Sequence, residues 1–303
     1  MTDGQRHLHA QKGEIDESLP PAIWNGHELR WGVKTHVMAI LNLTPDSFSG
    51  DGLAGSVDMA LSAALRAVDD GADILDLGAE STRPGHVPIS VDEELARLLP
   101  ALTAIRARTD ILLSVDTSKS AVAAEAIAAG ADLINDVRGF TADPEMAAVV
   151  ARAGVPVVLM HDVPPEPGVD LMTSILRELS RRLDRAVVAG VAWDRLIVDP
   201  GFGFGKDWRQ NLELLRRIGE LKALRRPILA GTSRKSMIGR VLGVPEDDRL
   251  EGTAATVSMA IAGGADIVRV HDVRTMARVA RMTDAVVRGA PREALTWPGA
   301  PRP

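Results

Sequence analysis

Residues 71–85 read GADILDLGAESTRPG and contain one unit of the predicted fold. Gly71 suits the left-handed turn that ends a helix, residues 73–77 form an apolar run typical of a buried strand, and a polar loop follows. The Gly-Ala-Asp start of this unit recurs at residues 130–132 and 264–266. The repetition predicts alternating helices and strands. The three aspartates enter their strands at the N-terminal end, where we expect them to stabilise the fold.

The same pattern extends over most of the chain. We predict eight strands, at residues 37–41, 73–77, 111–115, 132–134, 156–160, 195–198, 227–230 and 266–270. Helical spacing falls between them, for example at residues 57–70, 91–106, 119–129 and 250–262. Eight consecutive strand–helix pairs predict an α/β fold, a TIM (β/α)8 barrel. An open doubly wound sheet is the alternative, but it usually has five or six strands and a Gly-rich first turn, which this sequence lacks.

The ends of the chain differ from this repeating body. Asn25-Gly26 lies between two short extended stretches and predicts a type I′ hairpin ahead of the barrel. Residues 1–21 are polar, have no signal-peptide pattern and predict a flexible tail. We therefore expect a single barrel domain at residues 22–290 and a C-terminal tail at residues 291–303.

The composition limits the classes of function. The 303 residues are 46% hydrophobic and 25% charged, as in a folded globular protein, and no apolar run is long enough to span a membrane. We expect a soluble, cytoplasmic protein without a membrane partner. The formal net charge of −6 argues against nucleic acid as a partner, because phosphate contacts need a basic face. The absence of cysteine excludes disulfides, thiolate catalysis and cysteine-ligated metals.

Polar side chains follow every predicted strand. They are Asn42, the loop 78–85, Asp116, Asn135, His161, Asp199, Ser233 with Lys235, and Arg269 with His271. Barrel enzymes build their active sites at the C-terminal ends of the strands. A barrel with only a structural role would need few such residues, so their clustering predicts an enzyme.

Taken singly, these segments also have ordinary explanations. The loop after Asn42, which carries Phe48, is either a common βα loop or a lid over a ligand. Arg83 would usually be solvated, although Pro84-Gly85 fixes the backbone beside it in a way that suits anion recognition. The sequence DPGFGFGK at residues 199–206 matches neither the P-loop nor the dinucleotide pattern. It suits close approach of the backbone to a flat ligand, with Phe204 available for stacking.

The histidines and the basic residues of the last strand indicate less about the function. No HExxH or similar set is present, which argues against a transition-metal site. Arg269 and His271 have the same strand parity and face the same side, but parity leaves open which side that is.

Seven motifs, in order, resemble those of the dihydropteroate synthases. They are NLTPDSFS (42–49), ESTRPG (80–85), SVDTSK (114–119), INDV (134–137), DPGFGFGK (199–206), SRK (233–235) and RVHD (269–272). The similarity extends over about residues 36–287. It implies a transferase of folate biosynthesis that joins 6-hydroxymethyl-7,8-dihydropterin diphosphate to 4-aminobenzoate, releases diphosphate and forms dihydropteroate. Sulfonamides inhibit this family by imitating the aminobenzoate, and its members form homodimers.

The resemblance also implies roles for individual residues. The pterin would be bound by Asp116, Asn135, Met160, Asp199 and Lys235. The diphosphate would meet Arg83, Arg269 and His271, with Mg²⁺ held partly by Asn42. The aminobenzoate would be bound by Phe48, Thr82, Arg83, Pro84, Phe204 and Ser233. A carboxylate can accept two hydrogen bonds from the amide and amino groups of a pterin, which fits Asp199.

Two departures from the family pattern affect loops. The first loop reads DSFSGDGL, with one apparent inserted residue, and the stretch after His161 reads DVPPEP in place of the usual Met, Gly and Pro. Two alternatives stay open: a pterin-binding methyltransferase-type domain, and a paralogue that binds pterin without catalysis. The methyltransferase type would not need the anion-binding groups of TRPG and SRK, and the paralogue should have lost Arg83, Ser233, Lys235 or Arg269.

Overall fold

The computed structural model describes residues 19–44, 56–81 and 87–289. Most of the predicted N-terminal tail and all of the C-terminal tail lie outside the described residues, so the domain boundaries stay predictions. Four residues of the predicted site, Phe48, Thr82, Arg83 and Pro84, also lie outside them.

A short hairpin precedes the barrel. It pairs β1 (Ala22–Trp24) antiparallel with β2 (His27–Leu29). Asn25 and Gly26 have φ values of +44° and +79°, as the predicted type I′ turn requires.

Eight parallel strands form the barrel. They are β3 (His36–Asn42), β4 (Ile74–Gly78), β5 (Leu112–Asp116), β6 (Leu133–Asp136), β7 (Val157–Met160), β8 (Leu196–Asp199), β9 (Leu229–Ala230) and β10 (Ile267–Val270). Neighbouring strands pair in the order β8-β7-β6-β5-β4-β3-β10-β9. A parallel bridge between Val198 and Ile228, just ahead of β9, joins the two edges. The predicted (β/α)8 barrel is confirmed.

Helices separate the strands. They are α1 (Val57–Asp69), α2 (Val91–Arg106), α3 (Ser120–Ala128), α4 (Met146–Ala153), α5 (Leu171–Val188), α6 (Trp208–Arg216), α7 (Ser236–Leu242), α8 (Leu250–Ala262) and α9 (Val273–Val287). The four predicted helices are confirmed to within one residue at each end. Ser56 and Ser90 cap α1 and α2, since each hydroxyl accepts a backbone N–H of the first turn. None of the helices in the described part of the chain is long and apolar enough to cross a membrane.

The half of the barrel interior at the N-terminal ends of the strands is apolar. One cluster unites a residue from each barrel strand, namely Met38, Ile74, Leu112, Leu133, Val158, Ile197, Leu229 and Ile267. Only the inside of a closed barrel brings one residue of every strand together, so these side chains point inward. Trp24 and Trp31 belong to the same cluster, which shows that the hairpin closes the N-terminal end of the barrel.

The three Gly-Ala-Asp units occupy equivalent positions in the barrel. Gly71, Gly130 and Gly264 all have φ near +100°, which favours glycine. Each aspartate forms two hydrogen bonds with a single residue of the preceding segment. Its backbone N–H donates one and its carboxylate accepts the other. For Asp73, the N–H donates to the carbonyl of Val37 at 2.8 Å and the carboxylate accepts the N–H of Val37 at 2.9 Å. The other two aspartates repeat this exchange with the residues at positions 113 and 228. The expected stabilising role is therefore visible as hydrogen bonds.

Candidate active site

The barrel interior changes from apolar to polar along the strands. Side chains alternate with period two, so the inward residues at the N-terminal end predict which later residues also point inward. Two positions beyond the apolar layer stand Asp76, Ser114, Asn135, Met160, Asp199 and Arg269. The shared parity of Ile267 and Arg269 answers the question that sequence left open. Arg269 points into the barrel, and His271 follows in the same register at its mouth.

Arg269 lies among the acidic groups of this layer. Its Nε donates to Asp76 Oδ2 at 2.6 Å, and its Nη2 donates to Asp116 Oδ2 at 2.8 Å. The planar guanidinium is suited to join two carboxylates in this way. Asn135 Nδ2 also donates to Asp76 Oδ2, at 3.1 Å. The structure thus brings together three predicted residues, Arg269, Asp116 and Asn135.

Asp76 is part of this network although it is not among the residues predicted from the sequence. It is fully buried in the middle of β4. Buried aspartates are rare unless they are paired. A signal was present in the sequence, since an aspartate interrupts the apolar run ILDLG, but its partner could be identified only once the barrel had closed.

Several buried oxygens in this layer and just beyond it have no hydrogen-bond partner within the described residues. They are Oδ1 of Asp76, Oδ1 of Asp116 and Oγ of Ser114. Buried polar atoms in folded proteins nearly always have partners. Two carboxylate oxygens left open at the floor of a barrel mouth are therefore suited to accept N–H groups from a ligand.

Burial changes the acidity of these carboxyl groups. It raises the pKa of Asp116 to about 7, although the positive charge of Arg269 opposes the change. Burial also raises the pKa of Asp199, while the N–H of Gly201, which donates to Asp199 Oδ1 at 2.7 Å, opposes this shift. The neighbouring carboxyls thus ionise less readily than carboxyls in water.

Phe204 and Lys235 form a second part of the site. Lys235 Nζ lies 4.6 Å from the centre of the Phe204 ring, within the range of a cation–π contact. A Cβ on Gly203 would lie 3.1 Å from Lys235 Cδ, so glycine lets the loop pack closely against the lysine. Phe204 and Lys235 thus present an aromatic ring and a cation side by side. Such a surface suits the flat ligand that is predicted to lie against loop 199–206.

Ser233 and His271 contact each other. Ser233 Oγ lies 3.0 Å from His271 Nδ1, and the backbone N–H of His271 donates to the same hydroxyl at 3.3 Å. Ser233 is only 3% exposed, whereas Ser236, at the start of α7, is exposed. Arg234, between them, pairs through two nitrogens with Asp272. The SRK motif therefore directs its hydroxyl and its lysine toward the strand ends and its arginine toward Asp272.

Met160 and Asn42 complete the predicted set. Met160 is buried at the end of β7, and the guanidinium of Arg182 donates to its carbonyl. Asn42 is half-buried at the end of β3, and its side chain makes no hydrogen bond with the described residues. No group of three or more His, Cys, Asp or Glu able to hold a metal occurs in the part of the chain that is described.

A cavity of about 830 Å³ opens beside this site. Its lining includes Asp116, Lys119 and Phe204. Lys119 pairs with Glu80 and Glu94. Ligand sites commonly fall between about 300 and 1,000 Å³, so this cavity has the size of a small-molecule site.

The sequence and fold are similar to those of known pterin enzymes. A family described as pterin binding enzymes matches residues 38–271. The dihydropteroate synthase of Clostridium beijerinckii is 47% identical over 262 residues, which cover 86% of this chain and 97% of the relative.

Two solved structures have the same fold. A dihydropteroate synthase from Clostridium difficile, crystallised in the presence of pteroic acid, is 47% identical, with a TM-score of 0.82 over 86% of this chain and 99% of the other. The Xanthomonas albilineans enzyme with 4-aminobenzoic acid is 40% identical, with a TM-score of 0.83 over 90% and 100%.

Proposed function

This chain belongs to the dihydropteroate synthases, within the family of pterin-binding enzymes, and from that premise we propose how its own residues divide the two substrates. The family activity is a transfer in folate synthesis. It joins 6-hydroxymethyl-7,8-dihydropterin diphosphate to 4-aminobenzoate and forms dihydropteroate.

The pterin ring would lie on the polar floor of the barrel. The observation that carries this proposal is the pair of open carboxylate oxygens on Asp76 and Asp116 beside Arg269. A pterin presents several N–H donors along its edge, and each would satisfy a buried acceptor. Asp199 would accept the adjacent amide and amino groups, Asn135 would contact the rest of the ring, Lys235 would donate to its acceptors and Met160 would pack on its face. Asp76 is added to the predicted set because it supplies one of the open oxygens.

The diphosphate would meet cationic groups at the barrel mouth. Arg269 would meet it from the polar floor and His271 from the residue after β10, and Arg83 is retained from the sequence prediction. Arg269 already neutralises two carboxylates, so its contribution to the diphosphate is partial. We infer that His271, with its ring held by Ser233, orients the leaving group.

The residues present also fit a magnesium ion. Mg²⁺ prefers oxygen ligands and keeps several waters, so a single protein oxygen satisfies it. Asn42 lies at a strand end, its side chain has no hydrogen-bond partner among the described residues, and its amide oxygen would hold the ion. When bound, Mg²⁺ would reduce the negative charge of the diphosphate and make it a better leaving group.

The aminobenzoate would stack against Phe204, with Phe48, Thr82, Arg83 and Pro84 retained from the sequence prediction as its other neighbours. The sequence prediction also assigns its carboxylate to Ser233. Because Ser233 is buried against His271 and Ser236 is exposed beside Lys235, we propose that Ser236 meets the carboxylate and that Ser233 orients His271.

The proposed reaction is a dissociative substitution. The C–O bond to diphosphate breaks, the pterin stabilises the resulting carbocation, and the amine of aminobenzoate forms the C–N bond and releases a proton. No protein nucleophile is needed. The protein would contribute preorganised charge around the departing diphosphate and would exclude water that could capture the cation.

The late helices favour assembly into a homodimer. On α7, α8 and α9 the side chains of Val241, Leu242, Met259, Met282 and Val286 are between 51% and 71% exposed. Apolar exposure on neighbouring helices is typical of a protein interface. Sedimentation of the intact protein, compared with a Met282→Lys variant, tests this proposal. A cytoplasmic location also stays a proposal, and fractionation of cells that express the protein tests it.

Formation of dihydropteroate from the two purified substrates with Mg²⁺ tests the activity directly. Tight binding of the pterin diphosphate without product would favour a non-catalytic paralogue.

Lys235→Ala tests the site. Loss of a charge-assisted hydrogen bond should lower kcat/KM for the pterin substrate by about 10- to 100-fold. Lys222→Ala, which removes an exposed lysine, is the matched control. Unchanged turnover in Lys235→Ala would reject the site assignment.

A further inference from the structure

Lys206 is a buried lysine for which the proposed reaction has no use. It ends the DPGFGFGK loop and is 9% exposed. Its Nζ lies 2.9 Å from Nδ1 of His161 and 3.3 Å from the carbonyl oxygen of the same residue. Within the described residues it has no carboxylate as an ion-pair partner. A buried ammonium group normally has one, because burial without a partner is costly.

The contacts of Lys206 cross from the loop to strand β7. His161 directly follows β7, and its own N–H donates to the carbonyl of Asp199 at the start of the loop. Gly201 has φ +70°, and a Cβ there would overlap the carbonyl of His161. The loop therefore lies directly on the end of β7. Lys206 binds the C-terminal end of this loop to His161. The N-terminal end of the loop already contacts His161 through Asp199.

Asn211 also holds this loop, on both sides of Phe204. It accepts the N–H of Gly203 at 2.8 Å and donates to the carbonyl of Lys206 at 3.1 Å. Phe204 lies between these two braced residues, and its ring contacts Lys235. Displacement of residue 206 would consequently move the aromatic wall of the site.

We propose that Lys206 is a positioning residue whose amine ties the loop 199–206 to His161 and thereby fixes Phe204 beside Lys235 for binding of the aminobenzoate. This inference rests on the proposed placement of aminobenzoate against Phe204. Lys206 itself is too buried to touch the substrate.

The electrostatics around Lys206 support a functional reason for keeping it. Burial lowers the pKa of Lys206 to about 7, while the negative charges of Asp199 and Asp162 oppose the change and the positive charges of Arg182 and Lys235 add to it. Burial also lowers the pKa of His161 to about 3, so its ring is neutral at physiological pH. A group that is destabilising in its charged form is retained where it organises a site.

Lys206→Met tests the proposal, because methionine fills a similar volume without the amine. We expect the KM for aminobenzoate to rise about tenfold, and the KM for the pterin substrate to stay within about twofold. Amide hydrogen exchange in residues 201–205 should become at least about fivefold faster. Lys222→Met makes the same substitution at an exposed lysine and should change none of these quantities.

The pH dependence of stability tests whether the Lys206 amine is buried in the folded protein, while the difference between the two KM values tests its positioning role. The folded-state pKa of Lys206 lies below its unfolded value near 10.4, so the wild-type protein loses stability as pH falls from about 10 to 7 and no further below that. Lys206→Met lacks this loss. The Tm of the variant minus the Tm of the wild type should therefore increase by a few degrees as the pH is lowered from 9.5 to 7.

Three results would overturn the proposal. They are an unchanged KM for aminobenzoate in a folded Lys206→Met protein, a fall in activity that only follows a loss of folded protein, and failure of both Lys206→Met and Lys206→Gln to fold. Phe204→Ala separates this proposal from the site assignment. If that variant also leaves the KM for aminobenzoate unchanged, the placement of the substrate is wrong. If Phe204→Ala raises it and Lys206→Met does not, only the role of Lys206 fails.

Discussion

The barrel strands carry aspartates both where the chain enters a strand and farther toward the C-terminal ends, but the two sets differ in how the protein satisfies them. At the N-terminal end, Asp73, Asp132 and Asp266 each accept a backbone N–H from the preceding strand. At the C-terminal end, Asp76 and Asp116 bond Arg269 through one oxygen each and leave the other oxygen without a partner among the described residues.

This difference separates stability from function. A carboxylate whose bonds are satisfied by the backbone holds strands together and needs nothing further. A buried carboxylate with an open oxygen is costly in the empty protein and becomes satisfied when a ligand donates to it. Substitutions at the two ends should therefore have separable effects, on the free energy of unfolding at one end and on substrate binding at the other.

Asp199→Asn should give the largest effect. The amide replaces one acceptor by a donor that faces the donor edge of the pterin, so two charge-assisted bonds are lost or opposed. We expect kcat/KM for the pterin substrate to fall by about 100- to 1,000-fold, as measured by steady-state kinetics. A fall of less than about threefold would remove Asp199 from the pterin site.

Asp132→Ala tests the opposite end. It removes the acceptor for the N–H of Leu113 and the partner of Arg106. We expect the free energy of unfolding to fall by about 2 kcal/mol, because a buried N–H is left unsatisfied. Denaturant titration measures this loss. Both KM values should remain unchanged at a temperature where the variant is folded, and a change in either would contradict the separation of the two ends.

The pH dependence of stability should report on Asp116. Burial raises its pKa to about 7, above the unfolded value near 3.9, so the folded protein retains a proton that the unfolded chain releases. The stability from this group is fully present below about pH 4 and is lost as pH rises through 7. Relative to Asp116→Asn, the Tm of the wild type should fall by a few degrees from pH 5 to pH 8.

Asp92→Asn, at an exposed position in the first turn of α2, is the control for that experiment. Its Tm should differ from that of the wild type by a nearly constant amount across the same range. Parallel Tm curves for wild type and Asp116→Asn would show that Asp116 does not titrate with a raised pKa.

The smallest effects should distinguish the two serines. Ser236→Ala should raise the KM for aminobenzoate about three- to tenfold, since an exposed hydroxyl is lost. Ser233→Ala should leave this KM within about twofold and lower kcat a few-fold through loss of the contact with His271. Steady-state kinetics with aminobenzoate varied would measure both. The reverse pattern would return the carboxylate to Ser233.

Much of the fold was predictable because local signals agree along the whole chain. Asn25-Gly26 and the Gly-Ala-Asp starts each act within a few residues, and the strands and helices appear close to the predicted positions. The candidate site was predictable as a set of strand ends. Contacts between distant segments were not, so Asp76, the burial of Ser233 and the bond from Lys206 to His161 were missed.

By itself, the sequence determined the strand positions, the period-two alternation and the residue types at each strand end, because these depend on neighbouring residues. Only the tertiary structure decided which parity faces inward. Closure of the barrel brings together one residue from every strand, and that closure places Arg269 between Asp76 and Asp116, residues 193 and 153 positions away. Whether a carboxylate stabilises the fold or remains open for a ligand follows from this long-range arrangement, because its partners come from other strands.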